Sequence, residues 1–438
     1  MNNGLIIAAP MSGSGKITVA RGLMALLRRE GYRVQPMKCG PDYIDTKFHE
    51  AACGVPSINL DLFMASEKHV VELAERYSAK ADICVVEGMM GLFDGYDHER
   101  GSVYEIAKLL GLPVVLLVDA RSAAYSMAAL LKGFLSFRDD IRFTGVIFNK
   151  VGSERHQRML LEVCADVGVT CLGCLPKATI AETKERYLGL DFSNGTTDGS
   201  TFDSLADFIG QHIDWQTLLQ LTMNAPQVQE NITKNMAENL SENKPAEPPF
   251  RHIAIARSDE SFSFIYQNTL DAMNGADIRF FNPERNEAFP ADTDLLYLPG
   301  GYPEKHAEVL AKATQTKACI RAYVEKGGRV IAECGGMMYL CDRIITDEGE
   351  YPMCGILPYS VSARKLDRRL SLGYRRWSLN GRTFRGHEFH YSQFVGKQPP
   401  TITTVYNARG ETVDCPIFRQ GNVLTSYTHW YWEDLFSF

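Results

Sequence analysis

The 438-residue sequence contains no run of about 20 apolar residues, so no membrane-crossing helix is expected. Its first residues, MNNGLIIAAP, lack the basic stretch and long apolar core of a secretory signal. A dense cysteine framework is also missing. Eleven cysteines, an odd number, are scattered along the chain, which argues against a disulfide scaffold and fits reduced thiols in the cytoplasm, the expected location. Cys171-Leu-Gly-Cys174 has no second pair at ligand spacing and reads as strand and turn cysteines. Nor is there an excess of positive charge. The net charge of −7 disfavours nucleic acid or an anionic membrane as the main partner, and neither is expected. No short-period internal repeat is visible.

What is present is ordinary globular composition, 45% hydrophobic and 23% charged. At roughly 100–200 residues per domain, the length suggests two or three domains. Residues 225–248, APQVQENITKNMAENLSENKPAEP, are polar and poor in aromatics and read as a linker between residues 1–224 and 249–438. Both halves alternate short apolar runs with amphipathic stretches, the pattern of α/β domains. In the first half LIIAAP, YRVQPMKCG, ADICVVEGM, PVVLLVDA, RFTGVIFNKV and VTCLGCLP read as strands, with helices over 16–31 and 122–137. The strand runs are nearly continuous in apolar residues, as in a parallel sheet covered on both faces. The second half starts afresh at HIAIARSD and continues with ADIRFFN, DLLYLPGG, GRVIAECGG and a late strand near NVLTSYTH.

Residues 9–18, APMSGSGKIT, follow the first strand and enter a helix. A phosphate loop has Gly six residues before the Lys and Ser or Thr after it; here those places hold Pro10 and Ile17. Gly13 and Gly15 still let the backbone curl so that N–H groups meet phosphate oxygens, with the helix N-terminus adding partial positive charge. Ser12, Gly13, Ser14, Gly15, Lys16 and Thr18 are the candidate ATP contacts. Ile17 cannot ligate Mg²⁺, and Thr18 lies about 100° round the helix. Carboxylates and water are therefore expected to complete the metal shell. Strand ends supply Lys38, Asp42, Asp45, Glu87, Asp94 and Asp119, with Asn149 and Lys150 after VIF. Asp42 and Glu87 are the candidate Mg²⁺ ligands, Asp42, Glu87 and Asp94 the candidates for handling a substrate carboxylate, and Asn149 and Lys150 the candidates for reading the base.

The stretch KCGPDYIDTKFHEAACGVPSINLDLFM, then VVEGMMGLFDG and ERYLGL at 185–190, resembles the cobyrinate a,c-diamide synthase family, whose first domain is a P-loop domain of the dethiobiotin-synthetase type. The resemblance covers nearly the whole chain.

In the second half, RVIAECGGMMYLC reads as a strand ending at Glu333, then Cys334 before Gly335-Gly336 and a helix. This is a nucleophile elbow with Cys in place of Ser. The helix N-terminus is expected to lower the thiol pKa. The N–H of Gly335 and the turn Leu298-Pro-Gly300-Gly301-Tyr302 are the candidate oxyanion donors, and His429 is the candidate base. The half resembles a class I glutamine amidotransferase domain of flavodoxin-like fold, which implies glutamine hydrolysis through a glutamyl thioester. In the fuller triads of that family a Glu follows the His by two residues. Tyr431 stands there, so a dyad is expected, with Glu433 a distant third group. His387-Glu-Phe-His390 has its histidines three apart, not the four of a zinc helix, and is expected to form a binding wall or interface.

Together the halves imply an ATP-dependent amidation. One activates a carboxylate as an acyl phosphate, the other frees ammonia from L-glutamine, and an enclosed passage joins them. The resemblance implies a corrinoid polycarboxylate, cobyrinate, amidated at its a and c acetates, with basic residues of ARKLDRRLSLGYRR meeting some of its carboxylates. Hydrogenobyrinate and nickel-sirohydrochlorin fit the same reaction. A P-loop partitioning-type ATPase switch with a non-catalytic docking domain is the alternative of another class. The reading leaves a homodimer open.

Overall fold

The computed structural model describes residues 3–177, 199–224 and 250–432. The chain forms two compact units, Met1–Glu242 and Asn243–Phe438. The expected linker, the ERYLGL block and Glu433 lie outside the described residues. No helix among the described residues is long and apolar enough to cross a membrane.

The first unit alternates strands and helices in chain order: β1 (Gly4–Ala8), α1 (Lys16–Arg29), β2 (Val34–Cys39), α2 (Asp45–Cys53), β3 (Ile58–Leu60), α3 (Glu67–Ser78), β4 (Ile83–Glu87), α4 (Val103–Leu110), β5 (Val114–Asp119), α5 (Met127–Phe137), β6 (Phe143–Val151), α6 (Glu154–Val167), β7 (Cys171–Pro176), α7 (Gly199–His212) and α8 (Trp215–Met223). The strands form one parallel sheet in the order β3-β2-β4-β1-β5-β6-β7. Every residue of β1 and β4 is buried, as expected of strands covered on both faces. The carboxyl ends of β2, β4, β1, β5 and β6 are successive neighbours in that order. The residues that follow them therefore gather along one edge of the sheet, where open α/β sheets bind ligands.

The helix expected over 122–137 begins five residues late, at Met127. Ser122 takes a left-handed φ of 57°. Asp119 Oδ1 accepts from the Arg121 N–H at 3.0 Å, holding a turn that competes with a first helical turn. Helix α7, which the sequence pattern did not single out, packs on α1. A Cβ on Gly22 would meet Ile209 at 2.4 Å, so the missing side chain permits that contact.

In the second unit a six-stranded sheet has the order β19-β20-β11-β10-β8-β9, from β8 (His252–Ala256), β9 (Asp277–Phe281), β10 (Leu295–Leu298), β11 (Arg329–Glu333), β19 (Phe418–Gln420) and β20 (Val423–Ser426). It is parallel except for β19. After β11 the chain adds two four-stranded sheets. One comprises β12 (Cys341–Ile345), β13 (Glu350–Pro352), β14 (Leu357–Ser362) and β17 (Gln393–Phe394). The other comprises β15 (Ser371–Leu379), β16 (Arg382–His390), β18 (Val405–Tyr406) and β21 (His429–Trp430). The second of these holds His429 opposite His387, in register across β21 and β16.

Candidate active sites

The chain leaves β1 through Met11–Gly15 into α1. Gly15 caps the helix at φ 95°, a conformation that favours glycine. A Cβ there would also lie 2.3 Å from Asn149 Nδ2. Ser12 and Gly13 are exposed, while Ser14 is buried and its hydroxyl donates to Met11 O at 2.9 Å. Lys16 Nζ is buried against Met90 O at 2.5 Å and Met11 O at 3.4 Å. Burial holds its ammonium below the usual lysine range, against the pull of Glu87 and Asp94. Ile17 and Thr18 are half-buried on the first turn.

Asn149 is half-buried and tied to the phosphate loop. Its Nδ2 donates to Ser14 O at 2.9 Å and its Oδ1 accepts from the Lys150 N–H at 2.8 Å. The amide thereby braces the phosphate loop at Ser14 and leaves a second N–H and a second lone pair for another partner. Lys150 Nζ adds bonds to Gly13 O and Asp119 Oδ2, both at 3.1 Å.

Both Glu87 oxygens are engaged by protein cations or donors. The side chain is fully buried, with Oε1 2.5 Å from Lys38 Nζ and Oε2 2.7 Å from His49 Nε2. The Lys38 ammonium also reaches Asp45 Oδ2 at 2.8 Å and lies 3.8 Å from Asp42 Oδ2. Asp45 in turn meets Arg21 at 2.8 Å, and His49 Nδ1 lies 3.1 Å from Ser57 Oγ. The position a cation would take between these carboxylates is filled by an ammonium. Among the described residues no group of three or more His, Cys, Asp or Glu could hold a metal by itself. Lys38 accordingly holds Asp45 and Glu87 below the usual carboxylate range in spite of their burial.

Asp42 and Asp94 differ. Asp42 is half-buried, and its Oδ1 accepts the N–H groups of Ile44 and Asp45, both at 2.8 Å. Burial and the neighbouring Asp45 push its carboxyl up to about 7. Asp94 is exposed beside the loop, and its Oδ2 accepts the Gly91 N–H at 2.9 Å. These two fit a Mg²⁺ that arrives on the phosphates, since that ion commonly takes one or two carboxylates and keeps its waters. His49 is not singled out by the sequence, which places Lys38 and Asp45 at a strand end without pairing them. A lysine inside a strand buried along its whole length was the available signal, because such a charge requires partners.

In the second unit, Cys334 sits at φ 45°, ψ −106° between β11 and the short helix Gly335–Leu340. Glycines let the elbow close on its surroundings. A Cβ on Gly336 would lie 2.1 Å from Leu298 O, one on Gly335 would lie 2.9 Å from Gly301 O, and one on Gly300 would lie 2.2 Å from His429 Cε1. The elbow, the Gly300-Gly301 turn and His429 are thereby brought together. Gly300→Ala is expected to displace the imidazole and lower glutamine hydrolysis about 100-fold, as a misplacement of about 1 Å can, with the melting temperature as the control for folding.

The thiol does not behave as the helix N-terminus suggests. Burial pushes Cys334 well above the usual thiol range, and Glu304 adds to this, outweighing the bond from the Gly335 N–H. Burial pushes His429 down to about 3, with His387 and His390 nearby acting in the same direction. The resting pair is a neutral thiol and a neutral imidazole, because a one-turn helix cannot offset removal from water. Tyr431, in the place of a third triad member, instead meets Asn268 Nδ2 at 3.1 Å through its hydroxyl. Glu333 lies behind the imidazole, with Oε2 3.8 Å from His429 Nδ1.

His390 is buried and bonded within the unit. Its Nε2 donates to Glu388 at 2.7 Å, its Nδ1 lies 2.8 Å from Ser392 O, and Glu388 also takes the Arg375 guanidinium. His387 is buried opposite His429. Arg375 is thus unavailable to a substrate, whereas Arg368, Arg369 and Arg376 are exposed. Cys171 and Cys174 are free thiols.

Residues 5–189 match a CobQ/CobB/MinD/ParA nucleotide binding domain, and residues 252–435 a CobB/CobQ-like glutamine amidotransferase domain. Hydrogenobyrinate a,c-diamide synthase of Brucella abortus is 39% identical, covering 97% of this chain and 98% of its own length. The chain belongs to the cobyrinate and hydrogenobyrinate a,c-diamide synthase family. Another family member, the hydrogenobyrinate enzyme of Rhodobacter capsulatus, is 38% identical over the same shares. The cobyrinate a,c-diamide synthase of Listeria monocytogenes is 37% identical, covering 98% of this chain and 96% of its own. Like the family, this chain is a carbon–nitrogen ligase that uses ATP and glutamine.

Proposed function

We propose that the protein amidates the a and c acetate carboxylates of a cobyrinate-type ring through acyl phosphates. The observation that carries this reading is the full-length relation to the diamide synthases, with a phosphate loop and a Cys–His elbow both in place.

In the first unit, Ser12–Lys16 hold the triphosphate and Lys16 neutralises charge as the γ-phosphoryl passes to a ring carboxylate. Lys150 and Asn149 keep the loop curled. Mg²⁺, held by the phosphates with Asp94 and Asp42, would spread the charge of the transferring group. In the second unit, the Cys334 thiol gives its proton to His429 as sulfur attacks the glutamine carboxamide. The oxyanion is met by the N–H groups of Gly335 and the Gly300-Gly301 turn. The proton returns to the leaving nitrogen, so ammonia departs and a glutamyl thioester remains for water to cleave. Ammonia then displaces phosphate from the acyl phosphate to give the amide. At neutral pH free ammonia is mostly ammonium, so direct delivery from one site to the other completes the scheme.

The test is mass spectrometry of a reaction with ATP, Mg²⁺, glutamine and either cobyrinate or hydrogenobyrinate. Two successive losses of about one mass unit, each OH becoming NH₂, are expected. ATP consumption with no change in either ring would overturn the reading.

Ile17 leaves the helix without the hydroxyl that commonly meets Mg²⁺ at this position. Ile17→Thr is expected to raise Mg²⁺ affinity roughly tenfold, the size of one partner around a metal. Magnesium titration of the amidation rate measures this, and an unchanged titration would show that carboxylates alone set the affinity.

A further inference from the structure

We propose that Glu333, the residue immediately before the nucleophile, is the positioning residue for His429 and takes the part of the missing third triad member. The inference rests on the glutaminase reading of this site.

Glu333 closes β11 with its carboxylate turned into the unit and fully buried. Tyr297 OH donates to Oε2 at 3.0 Å and Trp432 Nε1–H to Oε1 at 2.8 Å. These two donors fix the carboxylate plane, and the Tyr297 and Trp432 rings are themselves packed 4.4 Å apart. The held oxygen, Oε2, is the one 3.8 Å from His429 Nδ1. At 3.8 Å the resting groups are just outside a hydrogen bond; closing by about 1 Å makes one. With Nδ1–H facing Glu333, Nε2 is left as the basic nitrogen. Once Glu333 has ionised, above about pH 8, the imidazolium formed when the thiol proton arrives there finds a carboxylate behind it. The chain thereby meets from the nucleophile's own strand a need commonly met two residues after the His.

Electrostatics supports the geometry. Burial holds the Glu333 carboxyl up, to about 8, although three donors lower it. An imidazolium at His429 is the cation this carboxylate lacks. The other titratable groups around the pair are Cys334, Glu304, His387, His390, Glu388 and Tyr297, none of which is altered in the variants below.

The experiment uses the full chain, with glutaminase kcat and KM followed from pH 6 to 9.5 for wild type, Glu333→Gln and Glu333→Asp, alongside melting curves. Wild-type kcat/KM is expected to rise through a group near 8. In the Gln variant kcat falls about 100-fold, the KM for glutamine changes less than twofold, and the rise is lost. In the Asp variant the rise persists. A Gln variant with wild-type kcat and the same rise would overturn the proposal. So would equal losses in both variants that follow the melting temperature, the mark of a purely structural role. If the Gln variant does not fold, the Asp variant decides: a retained rise supports the proposal, and its absence in a folded protein overturns it. A wild-type protein without glutaminase turnover would instead remove the reading of the site itself.

Discussion

Cys334→Ala is expected to abolish glutamine-supported amidation while leaving ammonia-supported amidation close to the wild-type rate. The sulfur is the atom that bonds to the glutamyl carbon, and no other group of the elbow can replace it. Loss of at least about 10³-fold with glutamine is therefore expected. The backbone already carries the elbow's φ of 45°, so alanine adds no new conformation there. The exchange removes one buried sulfur, and the melting temperature is expected to shift little. Supplying ammonium at pH 8–9 bypasses the second unit, and the ATP-dependent step in the first unit proceeds. Comparing the two nitrogen sources in one preparation measures this directly. Equal loss with both sources in a folded variant would place Cys334 outside glutamine hydrolysis.

The second large effect is expected at Lys38. Its ammonium is buried among Glu87, Asp45 and Asp42. Lys38→Met keeps the length of the side chain and removes the charge. Glu87 then retains His49, Asp45 retains Arg21, and the carboxylates repel one another. Removing one partner of a buried ion pair costs about 3–5 kcal/mol, because the remaining charge has no compensation.

The pH dependence carries the opposite sign in wild type and variant. In the wild type, Asp45 and Glu87 are held below their ordinary values. Their contribution is complete above the unfolded carboxylate range and is lost as pH falls through it toward their folded values. In the variant, burial without Lys38 raises Glu87 above its unfolded value, so the folded state binds the extra proton and the deficit shrinks as pH falls. Urea unfolding at pH 5 and pH 8 checks both the size and the sign. A deficit below about 1 kcal/mol, the level of an exposed pair, would show that the network is open to solvent.

The fold was largely legible before the structure, for physical reasons. The apolar runs of β1, β4 and β5 are so nearly continuous that only strands covered on both faces satisfy them. The glycine-rich turns after β1 and β11 could serve only close backbone approaches. The extra sheets added after β11 were less legible, since strands such as β13, β17 and β18 are two or three residues long and carry no readable period. The bracing role of Asn149 was not legible because its partner, Ser14, is 135 positions away in the chain.

The sequence by itself determined the two α/β domains, the phosphate loop with its isoleucine, the cysteine elbow and the late histidine. Each is encoded by neighbours within a few positions, where backbone geometry is local. Only the tertiary structure decided how charge is distributed around them. Glu87 became the partner of Lys38 and His49, the thiol rose instead of falling, and Glu333 came to lie behind His429. Such outcomes depend on burial and on distances between residues far apart in the chain, and no local pattern fixes either.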